Sequence, residues 1–163
     1  MSTWRNWAGD QVCAPVERLR PADRDELARA VVAAAEAGRK ISVPGSGHSF
    51  TETAMTDGTM IDVGALSGVL EADRSSRLVK VGAGTVLADL NERLHELGLA
   101  MENLGDIDRQ TVAGAISTGT HGTGAKLRNI SSQVVAMELV LAEIGRAHVL
   151  TPVTSGSRMP SSA

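Results

Sequence analysis

Three features of the sequence predict an α+β fold of two packed α/β subdomains with a groove between them. The first half alternates strand, helix and strand. The second half begins instead with a hairpin that runs into a leucine-striped helix. Around these elements, 13 of the chain's 17 glycines fall between Gly45 and Gly124. Glycine removes side-chain packing and loosens the unfolded chain, so this density marks backbone that turns sharply or approaches something closely. A loop-rich β domain with many turns is the plainer account of the same composition.

The elements follow in order. Val16 to Leu19 comes after Pro15 and reads as a short strand. Pro21 leads into a helix that Asp23 can cap, with Glu26 three residues on in the capping-box position. Leu27, Val31 and Ala35 fall on one face, supported by Ala30 and Ala34, and Gly38 sits where the helix stops. Lys40 to Val43 is a second strand, which runs into a glycine-rich loop and completes a small βαβ unit. Met60 to Val63 supplies a third strand. Val69 to Ala72 and Leu78 to Val81 read as two strands joined by the polar turn Asp73 to Arg77. Gly82-Ala83-Gly84 follows, and Thr85 is placed to cap the next helix. There Leu87, Leu90, Leu94 and Leu97 recur at i, i+3, i+7 and i+10, and Gly98 ends the run. Val134 to Leu141 has the texture of a strand buried on both faces.

Size and composition bound the function. A chain of 163 residues makes one domain or most of one. With 42% hydrophobic and 21% charged residues it has an ordinary globular profile. A net charge of -3 leaves no basic footprint, so nucleic acid is not an expected partner. The single cysteine, Cys13, excludes an internal disulfide framework and points to a reducing, cytoplasmic compartment. Met1 to Trp7 lacks the apolar core of a signal peptide. No apolar run reaches the roughly 18 residues of a membrane helix, so no transmembrane segment is expected; membrane association of a longer protein stays open. Aromatics make up only 2%, so the core is built from Val, Leu, Ile and Ala. No metal site is assigned.

The texture changes from about Glu143. Ile144 to Thr154, then Ser157 to Ala163, resemble a translated sequencing-library adapter, with Leu150 where the adapter normally reads stop. Residues 143–163 are therefore set aside as a non-native tail, and His148 receives no role. A genuine Ser/Pro-rich disordered tail is the alternative.

The glycines form three clusters. In Gly45-Ser46-Gly47-His48-Ser49, successive amides can form an anion-binding concavity, and the serines add hydroxyl donors. No helix opens straight after it, so it is not the six-residue dinucleotide fingerprint, and no Lys-Ser/Thr pair makes it a P-loop. A plain turn explains it equally well. Gly82-Ala83-Gly84-Thr85 enters the leucine helix and suits either an anion at a helix start or a simple glycine turn with a Thr cap. The third runs from Gly105 to Gly124, and nearly every residue from Thr111 onward is small. Such a run makes a poor core and a good bed for a large flat ligand. A loop of this length without a role is unusual.

In order, Pro44 to Phe50, Asp57-Gly58, Val81 to Thr85, Asn103 to Asp108 and the run from Gln110 to Gly124 resemble the PCMH-type FAD-binding domain of the vanillyl-alcohol oxidase superfamily. Within it the likeness is to the sugar-1,4-lactone oxidases (gulonolactone, arabinonolactone) and the alditol and xylitol oxidases. Trp4-Arg5-Asn6-Trp7-Ala8-Gly9 also matches how those enzymes begin. The likeness covers Thr3 to Ala142. It implies a partial FAD-binding domain over residues 1–142, with a first subdomain at about 8–68 and the start of a second at 69–142, cut before the second is complete.

The resemblance implies FAD as cofactor. In the family, the histidine at the position of His48 is commonly bonded to the flavin 8α carbon, through addition of a neutral imidazole nitrogen to an electrophilic flavin tautomer. The backbone of Gly45, Ser46, Gly47 and Ser49 looks like the pyrophosphate loop. Asp106, Gly114, Ser117, Thr118, Gly119, His121 and Gly122 fall in the stretches that line the flavin, and Val135 borders the adenine end through its backbone. For His121, a histidine hydrogen-bonded inside a glycine turn is the alternative. His95 reads as a solvated residue on a polar helix face. The implied reaction is oxidation of a CH–OH group of a sugar lactone or polyol, with oxygen or another electron acceptor. The family's substrate domain lies C-terminal to this region, so no catalytic residue is assigned here. The fragment alone is expected to be inactive, with apolar edge backbone that favours aggregation. Two other readings stay open: a noncatalytic module that binds FAD or another nucleotide reversibly, and a structural α+β fragment with no ligand.

Overall fold

The computed structural model describes residues 3–142 and the strand residues 147–150. A short antiparallel pair, β1 (Trp4–Arg5) and β2 (Val12–Cys13), opens the chain. The first subdomain holds β3 (Glu17–Leu19), α1 (Arg24–Glu36), β4 (Ile41–Ser42) and β5 (Thr59–Ile61). Its three strands are parallel in the order β3-β5-β4, so the last strand in sequence lies in the middle. That position explains why Thr59, Met60 and Ile61 are all buried. Parallel strands need a crossover, and α1 supplies it.

The start of α1 is built as the capping pattern predicts. Asp23 Oδ1 accepts the Glu26 amide at 2.7 Å, and Glu26 Oε2 accepts the Ala22 amide at 2.8 Å. The buried stripe is Leu27, Ala30, Val31 and Ala34, of which Ala34 is fully buried, whereas Ala35 is exposed. A step of seven residues returns to the same side of a helix, but a step of eight has turned past it, so the expected face is shifted by one position.

The second subdomain opens with the hairpin β6 (Val69–Asp73) and β7 (Leu78–Val81), antiparallel, with an irregularity between Val69 and Glu71. Asp73 closes its turn. Its carboxylate accepts from the amides and hydroxyls of Ser75 and Ser76, which holds it well below the usual carboxylate range. A depressed folded-state value means this turn contributes stability above the ordinary carboxylate pKa and loses it as pH falls toward the folded value. Behind the hairpin lie α2 (Leu87–Glu96) and α3 (Val112–Ser117). Leu87, Leu90, Leu94, Ala115 and Ile130 form the buried cluster, with Val69, Val79, Val81 and Val112 packed against it. The core is aliphatic, as the composition requires.

Thr85 does not cap α2. It is buried, and its hydroxyl donates to the Gly82 carbonyl at 2.7 Å while accepting the Gly68 amide at 2.9 Å. The first α2 amides are satisfied by backbone instead, Leu87 by the Gln110 carbonyl and Ala88 by that of Asp108. The second glycine cluster is therefore structural. Its carbonyls at Ala83 and Thr85 accept the Ala113 and Val112 amides and so dock the start of α3.

Beyond a 3-10 turn at Ile130–Gln133, β8 (Met137–Val140) pairs antiparallel with β9 (Ala147–Leu150). The segment set aside as non-native thus supplies a strand; its remaining residues, 143–146 and 151–163, lie outside the described residues. The expected burial of both faces of β8 is not found: Met137 and Leu139, which share one face, are exposed, while the face of Glu138 and Val140 lies toward α1 and β7. Glu138 ties this strand to both halves, with Arg24 of α1 at 3.0 Å and Lys80 of β7 at 3.9 Å, and it raises the Arg24 pKa. Among the described residues no helix is long and apolar enough to cross a membrane.

Leu87 is the anchor of the second core, with no exposed surface. Leu87→Ala is expected to cost about 2–5 kcal/mol through lost transfer energy and a cavity, read as a lowered denaturation midpoint.

Candidate functional site

The loop from Pro44 to Phe50 leaves β4 with Pro44 buried, and Ser42 Oγ donates to the Ala54 carbonyl at 2.8 Å to fix the loop's base. Gly45 lies directly against the start of α3. A Cβ there would sit 2.5 Å from Thr111 Oγ1 and 3.6 Å from Gly114 Cα. Here a glycine is required by contact, and the contact joins the first and third glycine clusters across the two subdomains. Gly47 is required by conformation, with φ at +73°.

The outer side of this loop is held by the N-terminal hairpin. The Trp7 amide donates to the Gly47 carbonyl at 2.8 Å, and Asn6 Nδ2 donates to the Ser49 carbonyl at 3.0 Å. Asn6 is buried and also bonds Asp10 and the Gln11 amide, so its orientation is fixed. The loop amides face no protein acceptor: among the described residues, those from Gly45 to Phe50 donate to none. Unpaired N–H groups with exposed Gly45 and Ser46 are the kind of backbone that can receive an anion.

His48 lies within this stretch, half-buried, with its ring 5.4 Å from that of Trp7 and tilted by 36°. Among the described residues neither of its ring nitrogens has a hydrogen-bond partner. Ser49 Oγ shares a hydrogen bond with Thr51 Oγ1 at 3.0 Å.

The third cluster folds back on itself. Thr111 Oγ1 caps α3 by accepting the Gly114 amide at 3.2 Å. Thr118 Oγ1 donates to the Gly114 carbonyl at 3.0 Å, and Ser117, Thr118 and Gly119 are exposed at the end of that helix. The stretch 103–105 lies beside 120–122: a Cβ at Gly122 would run into the Leu104 carbonyl oxygen, and one at Gly105 would come within 3.4 Å of the His121 carbonyl. His121 is exposed, and its Nδ1 pairs with the Gly122 carbonyl oxygen at 2.9 Å, the geometry of a histidine bonded inside a glycine turn. Asp106, next to Gly105, is exposed. Val135 stands 55% exposed between the 3-10 turn and β8, and no described contact ties it to the loops.

A cleft of about 270 Å³ lies where the subdomains meet, with Gly45, Ser46, Asp62, Gly84, Asp89 and Thr111 in its walls. It contains no cationic side chain. Asp62 is turned toward its own loop by the Gly64 amide at 2.8 Å and faces Arg20 at 3.9 Å. The polar groups of its walls are thus the backbone and hydroxyls around Ser46 and Thr111 and the carboxylates of Asp62 and Asp89. Sequence reasoning missed Asn6 as the clamp of the loop and Thr111 as the residue that Gly45 meets. The first has no periodic signature; the second was legible as a Thr ahead of a short run of small residues.

A family model described as an FAD binding domain matches residues 17–151. Over 139 residues the chain is 45% identical to the L-gulono-1,4-lactone dehydrogenase of Mycobacterium tuberculosis, covering 85% of this chain and 32% of that protein. Over 141 residues it is 41% identical to the D-arabinono-1,4-lactone oxidase of Eremothecium gossypii, covering 84% and 26%. The chain thus spans about a third or less of the length of these curated relatives. Its fold superimposes on a cholesterol oxidase from B. sterolicum with a TM-score of 0.76 at 18% identity, over 91% of this chain and 31% of the other. That likeness bears on the fold, and the fold is the expected PCMH-type α+β arrangement.

The Gly45 seam can be tested without any ligand. Gly45→Ala is expected to destabilise the chain by about 1–3 kcal/mol through overpacking against Thr111. In a Thr111→Ala background, which removes the opposing oxygen, the same change should cost measurably less, and denaturant titration of the four variants of this cycle reads the coupling.

Proposed function

We propose, from the premise that the chain belongs to the FAD binding domain family and takes FAD as its cofactor, that the longer protein carrying it oxidises a CH–OH group of a sugar lactone. The observation that carries this reading is the row of unpaired amides from Gly45 to Phe50, which carries within it the His48 imidazole with both nitrogens unbonded. The residues fit a dinucleotide. Free amides at 45–49 and the hydroxyls of Ser46 and Ser49 suit a pyrophosphate, and the glycine and small residues from Gly114 to Gly122 leave backbone open to a flat ring system.

When bound, the flavin supplies the acceptor for a hydride taken from the substrate carbon. The chain's own residues bind and orient. Gly45, Ser46, Gly47 and Ser49 hold phosphate oxygens by dipole rather than by charge. Gly114, Ser117, Thr118, Gly119 and Gly122 admit the ring, with Asp106 and His121 at its border. Val135 meets the adenine end through its backbone. His48 would hold the flavin covalently through a ring nitrogen on its 8α carbon, and the flavin would supply the electron acceptor for that attachment. The relatives carry both dehydrogenase and oxidase names, so the final acceptor is read by experiment. The substrate's hydroxyls and the proton-accepting base are assigned to the part of the longer protein beyond this chain. The 163-residue chain by itself binds FAD without turnover.

The test uses the full-length protein. It should purify yellow, keep its colour on the polypeptide after acid precipitation, and bleach under anaerobic conditions with a 1,4-lactone. His48→Ala should release its flavin into the acid supernatant and lose at least about ten-fold in lactone turnover, the scale of a tuned cofactor environment. Bleaching by an alditol and not by a lactone moves the substrate class. A protein that stays colourless in the presence of FAD overturns the reading.

A further inference from the structure

Trp7 is an exposed indole in a chain that has almost no aromatic residues. The sequence contains two tryptophans, one phenylalanine and no tyrosine. All three are gathered on the His48 loop. Trp4 Cζ2 lies 3.5 Å from the Cβ position of Gly47, Trp7 faces His48, and Phe50 is in the loop, its carbonyl accepting from Gln11 Nε2 at 3.4 Å. Trp4 is buried and needs no further account. Trp7 is 70% exposed, so it contributes little to a core.

Its backbone nevertheless is tightly held. The Trp7 amide bonds the Gly47 carbonyl, and a Cβ on Gly47 would come within 3.3 Å of both Asn6 Cα and Trp7 N. The neighbouring Asn6 is buried and bonded at both ends of its amide. The indole is thus presented from a rigid platform at a set distance from the imidazole. A histidine's orientation is ordinarily set by a hydrogen bond from one ring nitrogen. No such bond reaches His48 among the described residues, and an aromatic wall restricts a ring without occupying either nitrogen.

We infer that Trp7 is the positioning residue for His48: its indole restrains the imidazole while both nitrogens stay available for flavin attachment. This rests on His48 being the attachment residue. An imidazole without that wall samples about six staggered side-chain arrangements, so attachment should slow by up to about six-fold. Attachment loses one proton from the 8α carbon and one from the imidazole, and the two electrons leave the flavin to dioxygen as hydrogen peroxide.

The test reconstitutes the full-length protein with FAD and follows acid-stable flavin with time, alongside FAD affinity and the 1H–13C signals of the His48 ring. Trp7→Ala is expected to slow attachment up to about six-fold with FAD affinity within about three-fold of wild type, and Trp7→Phe to restore most of the rate. Attachment by Trp7→Ala at the wild-type rate overturns the inference, as does loss of FAD binding in both variants, which assigns Trp7 to the hairpin's structure alone. If Trp7→Ala does not fold, Trp7→Leu is read by the same assays. Wild-type protein that binds FAD but never attaches it removes the covalent reading of His48. The ring signals then decide: unshifted in Trp7→Ala they overturn the positioning role, and shifted and averaged they support it.

Discussion

The close approach of the Gly45 loop to the start of α3 is the constraint on which the site depends. The loop after β4 and the first turn of α3 come from different subdomains and meet with no side chain on the loop's side, Gly45 lying against the Thr111 side chain and the Gly114 backbone. The same economy recurs nearby, where a Cβ on Gly84 would run into the Val63 carbonyl. A seam with a glycine on one side has two consequences. It brings backbone donor groups to the surface of a cleft at short range, because no loop side chain projects past them. It also leaves little room to adjust, since the Thr111 hydroxyl opposite is itself held by the Gly114 amide. The position of the anion-binding row is therefore set by the packing of α3, and α3 is in turn docked by the carbonyls of Ala83 and Thr85. The glycine-rich turn before α2 acts at a distance from any ligand, as the mould that places the helix against which the loop rests.

An electrostatic choice follows from that geometry. An anion in the cleft would be met by amides and hydroxyls, since the walls carry no lysine or arginine. In a chain of net charge -3 this gives directionality in place of bulk attraction. A mobile cation on a long side chain attracts any phosphate. A row of fixed N–H groups would accept only one whose oxygens match its spacing, and Asp62 and Asp89, which also line the cleft, would disfavour an anion placed beside them.

Much of this was legible in the sequence, for reasons that differ by element. Leucines at helical spacing identify α2, and Asp23 with Glu26 identifies the start of α1, since both signals act between residues close in sequence. The three-strand unit was legible too, although its order, with β5 in the middle, is a tertiary property that no local pattern encodes. Thr85 shows the limit of a local rule. A threonine ahead of a helix reads as a cap, but here the Gln110 and Asp108 carbonyls arrive from 20 or more positions away and occupy the amides first, which frees the hydroxyl to tie Gly68 to Gly82. The apolar run ending at Leu141 shows the converse: its pattern anticipates two covering layers, and the described residues leave the Met137 and Leu139 face open. For the site, the glycine loop and its histidine were visible as a composition anomaly. The brace from Asn6 and Trp7 was not, because it joins residues some 40 positions apart through one buried amide side chain and one backbone bond.

The brace bears on why a loop this bare can hold a shape at all. Glycine at 45 and 47 raises the conformational entropy that ordering must overcome, by roughly 0.5–1 kcal/mol per position relative to alanine. Six successive amides without protein partners return nothing against that cost until an anion arrives. The offsetting interactions come from outside the loop: the Asn6 side chain on the Ser49 carbonyl, the Trp7 amide on the Gly47 carbonyl, and Thr111 against Gly45. Each engages the loop through its carbonyls or its Cα surface, and none consumes an N–H. The donors are left free because the acceptors and the backbone faces carry the fold, and that division lets one short segment be both ordered and unsatisfied.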